Sequence, residues 1–160
     1  IHERLVGSEM CIRDRVEVYY NSGQFWHTLE YLVPLEKDAF TFYEKLGSFY
    51  EKKGYSEISH SRMRRYEILL EYLKEETDVP AEVAAQKMLY DLYLREKLKK
   101  RPAFASDQKQ YETAVWNYRK NNQVSKTAHI EVFENGTVIL FDYEKRDPLS
   151  KNAYTEVIQL

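Results

Sequence analysis

The sequence predicts a mainly helical α+β fold, about five helices followed by a C-terminal β-hairpin with room for a third strand. Three observations lead there. From Phe25 to Asn121 apolar residues recur at spacings of three and four, the period of a helix with one buried face. From Ala128 the period changes to two, that of a strand. Asn135-Gly136, between two β-rich runs, is a strong short-range hairpin signal.

Each element has a local cause. Asn21-Ser22-Gly23 marks a turn, and the run Phe25 to Leu35 carries Phe25, Leu29, Leu32 and Val33 at helical spacing until Pro34 ends it. Asp38 is placed to cap a second helix along Ala39, Phe42, Tyr43, Leu46, Phe49 and Tyr50, with Gly54 at its C-terminal end. Ser59 to Ser61 precede a third, striped by Met63, Tyr66, Leu69, Leu70 and Leu73 and closed by Glu75 to Thr77. Asp78-Val79-Pro80 starts a fourth, because proline in a first turn forfeits no hydrogen bond, and this helix is expected to reach about Leu98. A fifth fits Asp107 to Asn121 on Tyr111, Ala114, Val115 and Tyr118, with Asn121-Asn122 as its left-handed stop. A two-residue loop at Asn135-Gly136 places Val132 opposite Ile139, Ile130 opposite Phe141, Glu131 opposite Leu140 and His129 opposite Asp142. Ile130, Val132, Ile139 and Phe141 then form the core face, and Tyr154 to Leu160 can add a strand.

Composition limits the chemistry. The 160 residues carry 24 Lys+Arg against 26 Asp+Glu, with 43% hydrophobic and 14% aromatic residues, enough to bury a core. Charges interrupt every apolar run short of the ~20 residues a spanning helix needs, so no membrane is expected and the compartment is expected to be the cytoplasm. One cysteine excludes an internal disulfide and a cysteine-ligated cluster built from this chain alone. The five glycines are scattered and form no phosphate-binding loop.

Few residues look reactive. His27, His60 and His129 are too far apart in sequence to form a local ligand pair. His129 opposite Asp142 has the look of a base with its orienting carboxylate, set against the plainer reading of a cross-strand hydrogen bond. Asp91 and Glu96 do not share a helix face and are expected to pair with Arg95 and Lys100, each four residues on. The cations Arg62, Arg64, Arg65, Arg95, Lys97, Lys99, Lys100 and Arg101 form local patches, but a formal charge of −2 makes nucleic acid an unfavoured partner.

Two resemblances bear on identity. LVGSEMCIRDR, Leu5 to Arg15, resembles one reading frame of a sequencing-library adapter, so residues 1–15 are expected to be non-native. Residues 16–160 then make a single helical domain with a C-terminal hairpin, a fragment of a longer protein. The succession VEVYYNSGQFWHTLEYL, FTFYEKLGSFYEKKGYSEISHSRMRRYEILLEYL, LYDLYLREKLKKRP and IEVFENGTVILFDYEKRDPL resembles a domain of unknown function at the C-terminus of cobalamin-binding radical-SAM proteins. Its motifs here are Tyr20 to Gly23, Ser59-His60-Ser61-Arg62, Tyr66, Asp91 to Pro102, Phe141-Asp142-Tyr143 and Arg146-Asp147.

That resemblance implies a parent enzyme using S-adenosylmethionine, a four-iron four-sulfur cluster and cobalamin, none of which this fragment can hold itself. The fragment would be a non-catalytic accessory domain whose partner is the N-terminal radical-SAM barrel of the same chain, with an unidentified substrate nearby. Residues offered for substrate or domain contact are His60, Arg62, Asp91, Glu96, Lys100, Arg101, His129 and Asp142. The alternative is a stand-alone helical module binding RNA or a protein.

Overall fold

The computed structural model describes residues 11–160. They divide into two compact units, the first ending at Met88 and the second running from Leu89 to Leu160, with the boundary inside a helix.

In the first unit, helix α1 (residues 11–15) passes directly into a π-helical stretch, Val16–Asn21. Helix α2 (Trp26–Leu32) ends in a 3₁₀ turn, Val33–Leu35, that contains the proline expected to stop it. Helix α3 (Ala39–Lys52) begins where Asp38 accepts a 2.7 Å hydrogen bond from the Thr41 N–H, satisfying a donor that no helical carbonyl can reach. Gly54, at φ +73°, follows its end in the left-handed conformation that glycine adopts without strain. Ser61 caps α4 (Arg62–Glu76) in the same way, accepting from the Arg64 N–H at 3.1 Å.

Tyrosines form much of this unit's core. Tyr19, Tyr50 and Tyr66 are fully buried; Phe25 stacks on Tyr66 at 4.0 Å and meets the edge of Tyr19 at 4.6 Å. Burying a phenol requires a partner for its hydroxyl. Tyr19 Oη bonds to Tyr50 Oη and donates to the Arg65 carbonyl, while Tyr66 Oη donates to the Gln24 carbonyl. Cys11 and Arg15, within the stretch resembling an adapter, are buried: the Cys11 thiol donates to the Gly47 carbonyl at 3.2 Å, and the Arg15 guanidinium lies 3.6 Å from the Tyr50 ring centre. Residues 1–10 lie outside the described residues.

Helix α5 (Ala81–Arg95) starts just after Pro80 and stops about one turn short of the expected Leu98. Its last carbonyls are met from elsewhere in the second unit. Tyr143 Oη donates to the Tyr93 carbonyl at 2.5 Å, the Ala153 N–H to Leu94 at 2.8 Å and Arg146 Nη1 to Arg95 at 2.8 Å. A helix end so capped needs no further turn to satisfy it.

A 3₁₀ turn, Lys109–Tyr111, leads into α6 (Glu112–Asn121). Two details differ from the sequence expectation. Ala114 is exposed, leaving Tyr111, Val115 and Tyr118 as the packed stripe. Gln123, not Asn121 or Asn122, takes the left-handed conformation, at φ +50°.

Strands β1 (His129–Val132), β2 (Val138–Asp142) and β3 (Tyr154–Ile158) form one antiparallel sheet in the order β1-β2-β3, so the expected third strand is present and the mainly helical α+β fold is borne out. The hairpin register is one residue from the expected one: Val132 faces Val138, Glu131 faces Ile139, Ile130 faces Leu140 and His129 faces Phe141. Only Gly136 of the loop has positive φ, at +86°, and its N–H donates to the Phe133 carbonyl while the Phe133 N–H donates to Thr137. That is a three-residue loop with glycine at the left-handed position, whereas a two-residue type I′ turn needs positive φ at both central residues.

Both sheet faces are buried as a result. Ile130, Val132, Val138, Leu140 and Ile158 pack with the α6 stripe, while Phe133 and Phe141 pack with Leu89, Tyr93 and Ala153. Ile139 and Phe141 therefore lie on the face opposite Ile130 and Val132.

Candidate functional site

The most concentrated polar chemistry in the second unit lies on that second face, around a carboxylate the sequence pattern did not single out. Glu131, central in β1, has a fully buried side chain. Arg101 grips it with two parallel hydrogen bonds, Nη1 to Oε1 at 2.7 Å and Nη2 to Oε2 at 3.1 Å. His129, two residues earlier and so on the same face, meets Oε1 through Nε2 at 2.9 Å. An ionised carboxylate only accepts, so the neutral imidazole carries its proton on Nε2.

Tyr93 completes the group from α5. Its ring stacks on His129 with centroids 3.8 Å apart and planes 8° from parallel, and its hydroxyl accepts from Arg101 Nη1 at 3.2 Å. Arg101 also donates to the Ser106 carbonyl at 2.8 Å, which holds the loop before α6 against the cluster. Pro102 favours extended backbone at Arg101, consistent with the chain having left α5 by this point.

Burial and charge pull against each other here. Burial works to keep Glu131 protonated, yet hydrogen bonds from His129 and Arg101 outweigh it and hold the carboxyl below its ordinary value. Burial also works to lower the Arg101 pKa, but its bonds to Glu131 raise it. For His129 burial wins, and the imidazole is pushed down despite the adjacent carboxylate. The Tyr93 phenol is pushed up, chiefly by burial. These directions favour an ion pair between partly exposed Arg101 and buried Glu131 beside an uncharged histidine.

The residues offered from sequence scatter. Arg101 and His129 meet in this cluster. Asp142 does not pair with His129: it faces Tyr154 across the ladder, and its carboxylate accepts from the Glu144 N–H at 3.0 Å. The one-residue register difference is the cause, since such a slip exchanges every cross-strand partner. Asp91 is buried on α5, whereas Glu96 and Lys100 are exposed beyond its end. His60 and Arg62 belong to the first unit, where His60 Nε2 lies 2.8 Å from the Tyr55 carbonyl and Arg62 lies 5.9 Å from the Tyr66 ring centre.

Glu131 was missed because alternation assigns a glutamate between Ile130 and Val132 to a solvent face. A both-sides-buried sheet reverses that, and Arg101 ahead of a proline was the available hint. Among the described residues no group of three or more His, Cys, Asp or Glu is placed to hold a metal ion, and the only thiol in the chain is engaged by the Gly47 carbonyl. These residues do not fit an iron–sulfur cluster. No described helix is long and apolar enough to cross a membrane.

No curated protein and no solved structure matches the chain. A family model described as "Protein of unknown function (DUF4080)" matches residues 10–155, nearly the whole chain and every member of the cluster, and by that match the chain belongs to the DUF4080 family.

Proposed function

We propose that this chain is a non-catalytic accessory domain of a cobalamin-dependent radical-SAM enzyme, packing on the barrel of its parent and bordering the substrate. One observation carries the docking role. Tyr20, Trp26, Leu35, Phe40 and Ile58 of the first unit, all large apolar or aromatic side chains, are each more than half exposed. The resemblance of the motifs supplies the partner: a barrel that must keep water from a radical gains from an apolar neighbour.

Four of the basic residues support this reading over a nucleic-acid module, because they are used internally. Arg64 reaches Glu67 and Glu71, Lys97 donates to the Lys126 carbonyl, Arg95 to the Ser150 carbonyl, and Arg101 is bound to Glu131. Phosphate contacts would have to displace these bonds.

The test begins by extending the reading frame upstream from the source DNA and expressing the whole chain. A C-x-x-x-C-x-x-C motif in the same frame is expected. In the full enzyme, amides of α2 and α3 should exchange more slowly than in the isolated chain, and Trp26→Ala with Phe40→Ala should weaken that protection. A frame without the motif, or unchanged exchange around Trp26 and Phe40, overturns the proposal and returns attention to a stand-alone binding module.

A further inference from the structure

The two edges of the sheet are treated differently. Pairing of Phe133 with Thr137 makes 131/139 and 129/141 the hydrogen-bonded pairs of β1 and β2, so Ala128, Ile130 and Val132 turn their backbone groups outward. Side chains block that edge. Gln108 imitates a neighbouring strand, its Oε1 accepting from the Val132 N–H at 2.9 Å and its Nε2 donating to the Val132 carbonyl at 3.0 Å, and Arg119 donates to the Ala128 carbonyl at 2.6 Å.

On β3 the same alternation turns Tyr154, Glu156 and Ile158 toward β2 and leaves Thr155 and Val157 facing outward. Among the described residues nothing pairs with those outward groups. The strand has none of the lysines or prolines that blunt edges, and apart from buried Ile158 its apolar residues are open: Val157 is 71% exposed, Tyr154 49% and Leu160 just beyond it 45%.

We propose that β3 pairs antiparallel with β3 of a second copy, about a two-fold axis at Val157. Outward-facing residues must pair with outward-facing residues, which leaves three registers. Thr155 against Val157 sets Glu156 opposite its own copy, a like-charge contact. Thr155 against Thr155 runs the partner into residues 150–153, a segment held to α5 by the Ala153–Leu94 bond and folded back by the Asp147 turn. Val157 against Val157 has neither defect. It sets Tyr154 against Leu160 of the second copy and Glu156 against Ile158 on one face, and Val157 against its own copy on the other, so each exposed apolar residue gains an apolar neighbour. This two-fold contact is isologous and closes at the dimer. It stands apart from the accessory-domain reading.

Sedimentation of the 160-residue chain over a wide concentration range tests it. A weak, concentration-dependent dimer is expected, because the contact is one short strand pair. Val157→Lys, which sets two ammonium groups opposite each other at an exposed position, should abolish the dimer while leaving the circular dichroism unchanged. Val157→Cys should form a disulfide dimer under mild oxidation, since paired Cα atoms about 5.5 Å apart suit a disulfide, whereas Thr155→Cys should not. The native chain, with only buried Cys11, is the control. A monomer at every concentration without Val157→Cys cross-linking, or a dimer indifferent to Val157→Lys, overturns the proposal and leaves the edge to a strand of another protein or none.

Discussion

Arg101→Ala should be the most informative substitution in the second unit. It removes both charge-assisted bonds from a carboxylate with a fully buried side chain, along with the Arg101 bonds to Ser106 and Tyr93. Breaking a buried ion pair by deleting one partner costs about 3–5 kcal/mol, mostly the penalty of the charge left behind. Two features place this site near the lower end. His129 still donates to Glu131, and the Arg101 side chain is 35% exposed, so its removal lets water approach the carboxylate. A loss of about 3 kcal/mol corresponds to roughly 6–12 °C in Tm for a chain of this size.

Urea unfolding followed by far-ultraviolet circular dichroism measures the effect, with Lys100→Ala as the exposed neighbouring control, expected within about 0.5 kcal/mol of the parent. The joint variant Arg101→Met with Glu131→Leu removes both charges, and it should lose less than Arg101→Ala alone. An Arg101→Ala value indistinguishable from Lys100→Ala, or a joint variant as unstable as the sum of its two single changes, would refute the account of Glu131 as a charge that needs its partner.

Acidification should destabilise the unit in two stages. His129 is held below its ordinary 6.5, so as pH falls through 6.5 the unfolded chain gains a proton the folded one refuses, and stability declines until the folded imidazole protonates too. Glu131 is held below its ordinary 4.5, so its contribution is present above that value and is lost as pH falls through the lower folded value. His129→Gln should remove the first stage and leave the second, as urea midpoints across the pH range would show. Gly136→Ala should cost about 1 kcal/mol by chemical denaturation, from backbone strain at φ +86° alone, because an added Cβ would meet no atom within 4 Å. Tyr143→Phe keeps the ring and deletes one bond to the end of α5. It should cost about 1 kcal/mol, with faster amide exchange at the end of that helix.

Helices were legible in the sequence because their causes are local. Asp38 and Ser61 cap the residues three positions on, and most of the apolar stripes that mark α3 and α4 is buried, though Ala39 is exposed, Met63 half-buried, and α4 also buries Ile68 and Tyr72. The end of α5 was not legible, since Tyr143, Arg146 and Ala153 cap it from about 50 residues away. The hairpin failed at one torsion: whether Asn135 joins Gly136 at positive φ decides the loop length. Loop length decides which residues face each other, and so whether His129 sits opposite Asp142 or Phe141.

Four of the positions that carry the family resemblance in the second unit have structural explanations. Tyr143 and Arg146 hold the last carbonyls of α5, Asp147 accepts from the Leu149 and Ser150 N–H groups to shape the loop that returns to it, and Arg101 neutralises Glu131. Substituting them perturbs the fold first, so a functional loss in such variants would not by itself identify a contact. The side chains proposed to make contacts are instead exposed: Trp26 and Phe40 in the first unit, Val157 on the open edge. Large exposed apolar residues are unfavourable in an isolated chain, and a partner that covers them recovers what solvation costs. A variant at Trp26, Phe40 or Val157 that leaves stability intact yet removes an association therefore identifies a contact, an inference no substitution at Arg101 or Tyr143 permits.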